Sequence, residues 1–204
     1  MDLRIAILAN KCPYVNTKEL FMSNVKKLKL EDPDFPDSLR NIPDPPKQIY
    51  ALGDLKTMSA KKKLAIVGSR RITPYGKFVT SSLGQGVARK DIVIVSGLAL
   101  GVDAVAHQAA LDSGGLTIAV LASGLDTITP KTNHHLAQNI LKSGGAIISE
   151  YPPGTPPIPS NFIARNRIVS GISDGVLITE AAAKSGTMHT ANFALEQGKT
   201  VMAV

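Results

Sequence analysis

Two arginines, an acid at the end of an apolar run and a small-residue turn share one stretch of this chain, Asn161 to Thr190, NFIARNRIVSGISDGVLITEAAAKSGTMHT. Phe162 to Ile172 has helical spacing, with Phe162, Ile163, Ile168, Val169 and Ile172 able to form an apolar face. Arg165 and Arg167, separated by Asn166, leave such a helix in different directions, because successive side chains are about 100° apart. Gly175 to Thr179 reads as a buried strand flanked by Asp174 and Glu180. Ser185, Gly186 and Thr187 then open a second helix, whose first N–H groups have no partner within it. Glycine there lets another molecule approach the main chain, and a helix N-terminus attracts anions. The chemistry these residues point to is anion handling. The plainer alternative is a surface arginine pair beside an ordinary strand–turn–helix.

Other chemistries find less support. The apolar run Leu64 to Val67 is followed by Gly68, Ser69, Arg70 and Arg71, without the G-x-G-x-x-G spacing of a dinucleotide fingerprint. An arginine where a pyrophosphate would lie suits a phosphate ligand but argues against a nicotinamide-dependent dehydrogenase. His107, His134, His135 and His189 are scattered, with no H-x-x-x-H or C-x-x-C spacing, so no metal is expected. No G-x-S-x-G nucleophile elbow is present. Asp103 and His107, at i and i+4, can share a helix face. They read as polar groups that cap and orient the SGLALGVD turn, with an acid–base pair as the alternative.

The elements that must position these residues form a regular alternation from Leu64 onward. Apolar strands are expected at 64–68, 92–96, 117–121, 146–149, 175–179 and 200–204. Helices are expected between them at 74–89, 102–111, 132–142, 162–172 and 188–197. That pattern is the signature of a parallel sheet covered by helices on both faces. Ligands bind such sheets beyond the carboxyl ends of the strands, where Ser69, Arg70, Gly97, Glu150 and Glu180 fall. Before this domain, 64–204, come an N-terminal extension and proline-rich lead-in, 1–55, and a lysine-rich linker, 56–63. A strand or helix start is expected at Ile5 to Ala9 and a short helix at Thr17 to Leu28. The lead-in holds Pro33, Pro36, Pro43, Pro45 and Pro46 and reads as an extended wrapping segment that docks through Ile49 to Gly53. Lys61, Lys62 and Lys63 read as a solvated run.

Composition sets outer bounds. The net charge of +7 favours an anionic partner. Arg70, Arg71, Lys131, Arg165, Arg167 and Lys184 are all placed at or beside strand ends, so modest charge can be focused in one cleft. A lone cysteine, Cys12, excludes an internal disulfide and suits a reducing cytosol. Neither a signal peptide nor a membrane-spanning run is expected.

The ordered motifs GSRRITPYG (68–76), SGLALGVDAVAHQAAL (96–111), GGLTIAVLASGLD (114–126), ITPKTN (128–133), ISEYPPG (148–154), FIARNRIVSGIS (162–173) and KSGTMHTANFALEQGK (184–199) resemble the DNA-processing protein A family (DprA/Smf). The proline-rich segment also resembles that family's lead-in. The resemblance implies an extended Rossmann-like, doubly wound domain that binds single-stranded DNA and supports loading of a RecA-type recombinase in recombination and natural transformation. It further implies a homodimer in the full-length protein, and neither catalysis nor a cofactor. By the same resemblance Arg70 and Lys131 would contact DNA phosphates. Ser69, Gly97, Arg165, Asn166 and Arg167 would line the pocket, and Ser185, Gly186 and Thr187 would offer main-chain donors.

Three features depart from the family pattern. Leu100 stands where a basic residue is frequent and Thr129 where a tyrosine is usual. The N-terminal helical domain of many members is short or absent, and the chain stops at Val204 inside what should be the last strands. A second class of function is a nucleoside-monophosphate phosphoribohydrolase of the lysine-decarboxylase-like group. Glu180, Arg167 and Ser185 to Thr187 partly echo its site, but the PGG turn is missing. If DNA binding is right, Glu180 is expected to hold the pocket's shape, accepting hydrogen bonds from an arginine or from main-chain groups near the Ser185 to Thr187 turn.

Overall fold

The computed structural model describes residues 24–60, 62–183 and 185–204. The expectations for Ile5 to Ala9 and Cys12, for most of the Thr17–Leu28 helix, and for Lys61 and Lys184 lie outside these residues. The described residues form one eight-stranded sheet. Its strands are β1 (Lys26–Lys29), β2 (Gln48–Gly53), β3 (Lys63–Gly68), β4 (Val93–Ser96), β5 (Thr117–Leu121), β6 (Ala146–Ser149), β7 (Gly175–Glu180) and β8 (Thr200–Ala203). They lie in the order β1-β2-β6-β5-β4-β3-β7-β8. From β6 to β8 all neighbours are parallel, and β2 and β1 add an antiparallel edge.

The helices are α1 (Asp37–Arg40), α2 (Leu55–Met58), α3 (Pro74–Ala88), α4 (Val102–Asp112), α5 (His134–Lys142), α6 (Pro159–Gly171) and α7 (Thr187–Glu196). The strands are continuously apolar because both faces are covered. On one face Ile66, Ile94 and Leu177 pack with Ala88, Val102, Ala106 and Ala110 of α3 and α4. On the same side as α5, Ala119, Leu121 and Ile147 meet Ala137 and Ile140. The opposite face sets Ala65, Val67, Val95 and Val120 against Ile168 and Val169 of α6 and Ala191 and Ala194 of α7. The fold is therefore a mostly parallel, doubly wound sheet of Rossmann-like type.

The lead-in docks into the same structure. Phe35, Leu39, Ile42 and Ile49 join the core beneath α6, and β2 pairs with β6 as the apolar run at 49–53 predicts. Three local expectations are corrected. Lys26–Lys29 is a strand, because its main chain pairs with β2. Met58 and Lys63 are buried at 1% and 7% exposure; Met58 closes α2 against the core, and the Lys63 ammonium donates to the Ala60 carbonyl at 2.5 Å. Helix α6 starts at Pro159, three positions earlier than the apolar spacing indicates, because proline suits the first turn.

His107 is fully buried, and Thr117 fixes its tautomer. The Thr117 hydroxyl donates to the Ile94 carbonyl at 2.7 Å, so it accepts from His107 Nδ1–H at 2.7 Å. Nε2 has no partner among the described residues. Burial, helped by the Arg165 charge, lowers the His107 pKa to about 3. Below about pH 6.5 the unfolded chain therefore takes up a proton that the folded chain refuses. Stability is expected to fall from pH 6.5 toward pH 3 by up to about 1.4 kcal/mol per pH unit from this group, and to be unaffected by it above pH 6.5. Urea midpoints at pH 7 and pH 4.5 check this. His107→Gln should lose less stability between the two pH values than the unmodified protein; an equal loss would contradict the assignment.

Candidate nucleic-acid interface

The chain moves outward from β3 to β4, β5 and β6, then returns to the other side of β3 with β7. The carboxyl ends of β3 and β7 thus flank a topological switch point, where ligands enter sheets of this kind. A cavity of about 660 Å³ lies there. Ser69, Arg70 and Arg71 form one wall, Gly97 and Arg165 the floor, and Ser185, Gly186 and Thr187 the side formed by α7. Pro157, Pro159, Phe162 and Ile163 make an apolar wall beside them.

The first wall is set by close main-chain approach. Gly101 has φ +76, and a Cβ there would lie 2.1 Å from the Ser69 carbonyl oxygen, which accepts from Val102 N at 3.1 Å. The loop carrying Arg70 is thereby docked on the loop after β4. Arg70 is exposed, and its guanidinium lies 5.3 Å from the centre of the Phe162 ring. Stacking on that face orders the side chain while leaving its N–H edge free for an oxyanion.

The floor is held from several sides. Arg165, only 4% exposed, donates to the Gly97 carbonyl at 2.7 Å and to the Val120 carbonyl. Its Nε is buried without a partner among the described residues. A Cβ on Gly97 would meet the guanidinium at 2.6 Å. The Asp103 carboxylate accepts from Gly97 N at 3.1 Å and Ala99 N at 3.3 Å. Burial raises the Asp103 pKa, opposed by Arg165 and by the donors of its own loop. Burial likewise lowers that of Arg165, with Asp103 opposing. Asn133 donates to the Leu98 and Ala99 carbonyls at 2.9 and 3.2 Å. Together these bonds hold Leu98 in the left-handed region, φ +57, a conformation costing a non-glycine residue on the order of 1–2 kcal/mol.

On the third side, Asn166 donates to the Gly186 carbonyl at 3.4 Å and ties α6 to the start of α7. The N–H groups of Gly186 and Thr187 face no acceptor within the helix, whereas Ser185 does not offer its main chain as expected: its N–H donates to the Ala182 carbonyl at 3.0 Å, and its hydroxyl is buried without a partner among the described residues. Two basic residues are placed elsewhere than expected. Arg167 does not line the cavity: it forms a bidentate pair with Glu150, at 2.9 and 2.6 Å, and a 2.8 Å pair with Asp44 of the lead-in. Lys131 is exposed at the start of a short 3-10 helix, Lys131–Asn133, and is not among the lining residues; β4 separates β5 from β3, so Lys131 and Arg70 are not at neighbouring strand ends. Asp103 caps the SGLALGVD turn, whereas His107 turns to Thr117. Glu180 accepts from Thr73, not from an arginine or the Ser185 to Thr187 turn. The clamp formed by Asn133 has no local signal beyond its place in the ITPKTN motif.

Residues 26–204 match the DNA recombination-mediator protein A family. The chain belongs to that family. It is 42% identical over 180 residues to the DNA processing protein DprA of Bacillus subtilis, covering 88% of this chain and 60% of that protein. Smf of Escherichia coli is 44% identical over 170 residues, covering 83% of this chain and 45% of that protein. A DNA processing protein A from Helicobacter pylori, studied for its single-stranded DNA binding mode, superposes with a TM-score of 0.80 at 40% identity, covering 88% of this chain and 80% of that one. The chain thus spans about half of the Escherichia coli protein and somewhat more of the Bacillus subtilis one.

The close approach of Gly97 to the Arg165 guanidinium gives a direct expectation. Gly97→Ala should destabilise the domain by about 1–3 kcal/mol, because a buried, multiply bonded guanidinium cannot yield freely. Gly86→Ala, on the open side of α3 with nothing within 4 Å, should be neutral or stabilise by up to about 1 kcal/mol. Chemical denaturation of both variants checks the pair.

Proposed function

We propose that this chain binds single-stranded DNA in the cavity at the switch point, with phosphates on the side of Arg70, Ser69 and the start of α7. This binding would support loading of a RecA-type recombinase in recombination and natural transformation, in the cytoplasm and as a homodimer. The observation that carries the reading is the convergence of an exposed, ring-stacked Arg70 with the Gly186 and Thr187 N–H groups and the Ser185 hydroxyl around one cavity. Hydrogen bonds to an ionised phosphate, above all from the Arg70 guanidinium, are the stronger kind. The buried Arg165 charge beneath is offset by the Asp103 carboxylate beside it, so the exposed Arg70 and Arg71 carry the attraction. The apolar wall of Pro157, Pro159, Phe162 and Ile163 suits base or sugar faces, with Phe162 able to stack. Lys131 is assigned a peripheral phosphate contact, and Arg167 a structural role. The single-strand binding studied in the Helicobacter pylori relative supports the same ligand class.

The phosphoribohydrolase reading is not favoured, since the Glu180 carboxylate is engaged by Thr73 outside the cavity lining. Incubation with purine and pyrimidine monophosphates is expected to release no free base.

Fluorescence anisotropy with a labelled single strand tests the proposal. Arg70→Ala should weaken binding by about 1–3 kcal/mol and flatten the salt dependence by about one phosphate contact, with an unchanged thermal transition. Lys131→Ala should cost less. Normal binding by a folded Arg70→Ala variant would remove Arg70 from the site.

A further inference from the structure

Glu180 lies next to the proposed phosphate site without lining it, yet its bonds reach both ends of the segment that carries Arg70 and Arg71. β7 neighbours β3, and the register between them shifts at Val67 and Gly68, so that Gly68 comes opposite Glu180. There the Glu180 carbonyl accepts from Ser69 N at 2.7 Å. Four residues further on, both carboxylate oxygens accept from Thr73 N at 3.1 Å, and Oε2 accepts from the Thr73 hydroxyl at 2.6 Å. Thr73 is the N-cap of α3, and its Oγ1 accepts from Gly76 N at 3.0 Å.

We infer that Glu180 is a positioning residue for single-strand binding: it fixes the Ser69–Thr73 loop so that Arg70 is held at the cavity wall. The inference rests on the function proposed above. Three features argue for more than an ordinary helix cap. The carboxylate comes from another strand, so it sets α3 and its loop relative to β7, not merely the helix end. The space for it is reserved: a Cβ on Gly76 would lie 2.0 Å from Oε2 and 2.8 Å from Cδ, so only glycine admits the carboxylate at this place. The loop between the two anchors is otherwise tied by Ser69, whose hydroxyl accepts from Arg71 N at 3.1 Å and whose carbonyl accepts from Val102 N. With both ends pinned, the Arg70 side chain has a fixed origin from which to reach the Phe162 ring.

This geometry also explains an acid beside a phosphate site. Donors at the start of α3, where a helix favours negative charge, absorb the carboxylate, and it faces Thr73 instead of the ligand. Its loss would release the Thr73 end of the loop while main-chain bonds keep the Ser69 end in place, and the affinity lost would come from the Arg70 contact.

The test is a double-mutant cycle read by anisotropy with a single-stranded oligonucleotide, alongside thermal melts of each variant. Glu180→Ala should weaken binding about tenfold, about 1.4 kcal/mol, and flatten the salt dependence as Arg70→Ala does. In the Arg70→Ala background the same change should cost less than about twofold, because the two act through one contact. Glu180→Gln, which keeps an acceptor for Thr73, should recover most of the affinity, while Gly76→Ala should reproduce the loss by displacing an intact carboxylate. Unchanged binding by a folded Glu180→Ala variant, or a loss that adds in full to that of Arg70→Ala, would overturn the inference alone. Failure of the unmodified protein to bind single strands would overturn the proposed function and this inference with it.

Discussion

A guanidinium buried under the ends of two central strands is the constraint on which the binding site depends. Arg165 joins the carbonyls of Gly97 and Val120, which close the ends of β4 and β5. Removing such a charge from water costs several kcal/mol unless partners replace the lost hydration. Here the partners are main-chain carbonyls, with the Asp103 carboxylate near enough to oppose the effect of burial. Asp103 in turn holds the N–H groups of the same loop whose carbonyl Arg165 takes. Gly97 is required because any side chain there would occupy the guanidinium's place. The loop after β4 is over-determined as a result, and it carries Leu98 at positive φ and Gly101 against the Ser69 carbonyl.

From that floor the walls follow. Gly101 lets the loop after β3 approach, which sets the origin of Arg70. Helix α6 supplies Arg165 inward, Phe162 to the cavity and Asn166 to the start of α7, so one helix coordinates three sides. The same helix sends Arg167 outward to Glu150 and Asp44, fastening the lead-in. The acids near the site are each committed: Asp103 to its loop, Glu150 to Arg167 and Glu180 to Thr73. Asp103 itself lines the cavity with its carboxylate bound to its own loop, and the exposed charges at the wall are those of Arg70 and Arg71.

Much of this was legible in the sequence, for identifiable reasons. Strands β3 to β7 are continuous apolar runs separated by helix-length segments, so the alternation and the sheet type could be read directly, whereas only α3, with Thr73 and Pro74, had its start read from a local signal. The clustering of Ser69, Arg70, Gly97, Arg165 and Ser185 to Thr187 follows from the rule that parallel strands point their carboxyl ends one way. Which arginine faces the cavity was not legible. Arg165 and Arg167 lie about 200° apart on a helix, and only the partners contributed by Glu150 and Asp44 decide which turns away. β1 was missed because Lys26, Lys27 and Lys29 leave Leu28 as its one buried residue, and its strand character comes from pairing with β2. The roles of Asn133 and Glu180 depend on contacts with residues distant in the chain, at Leu98 and Thr73, and so carry no local pattern.

The central claim is that the cavity at the switch point, and not the lysine-rich surface before β3, receives the nucleic acid. Backbone amide chemical shifts during titration with a short single-stranded oligonucleotide test it most directly. The account predicts that the largest changes fall on Ser69, Arg70, Gly186 and Thr187, with smaller ones near Lys131. Changes centred on the exposed Lys56 and Lys62, with the amides of the cavity left unmoved, would contradict it.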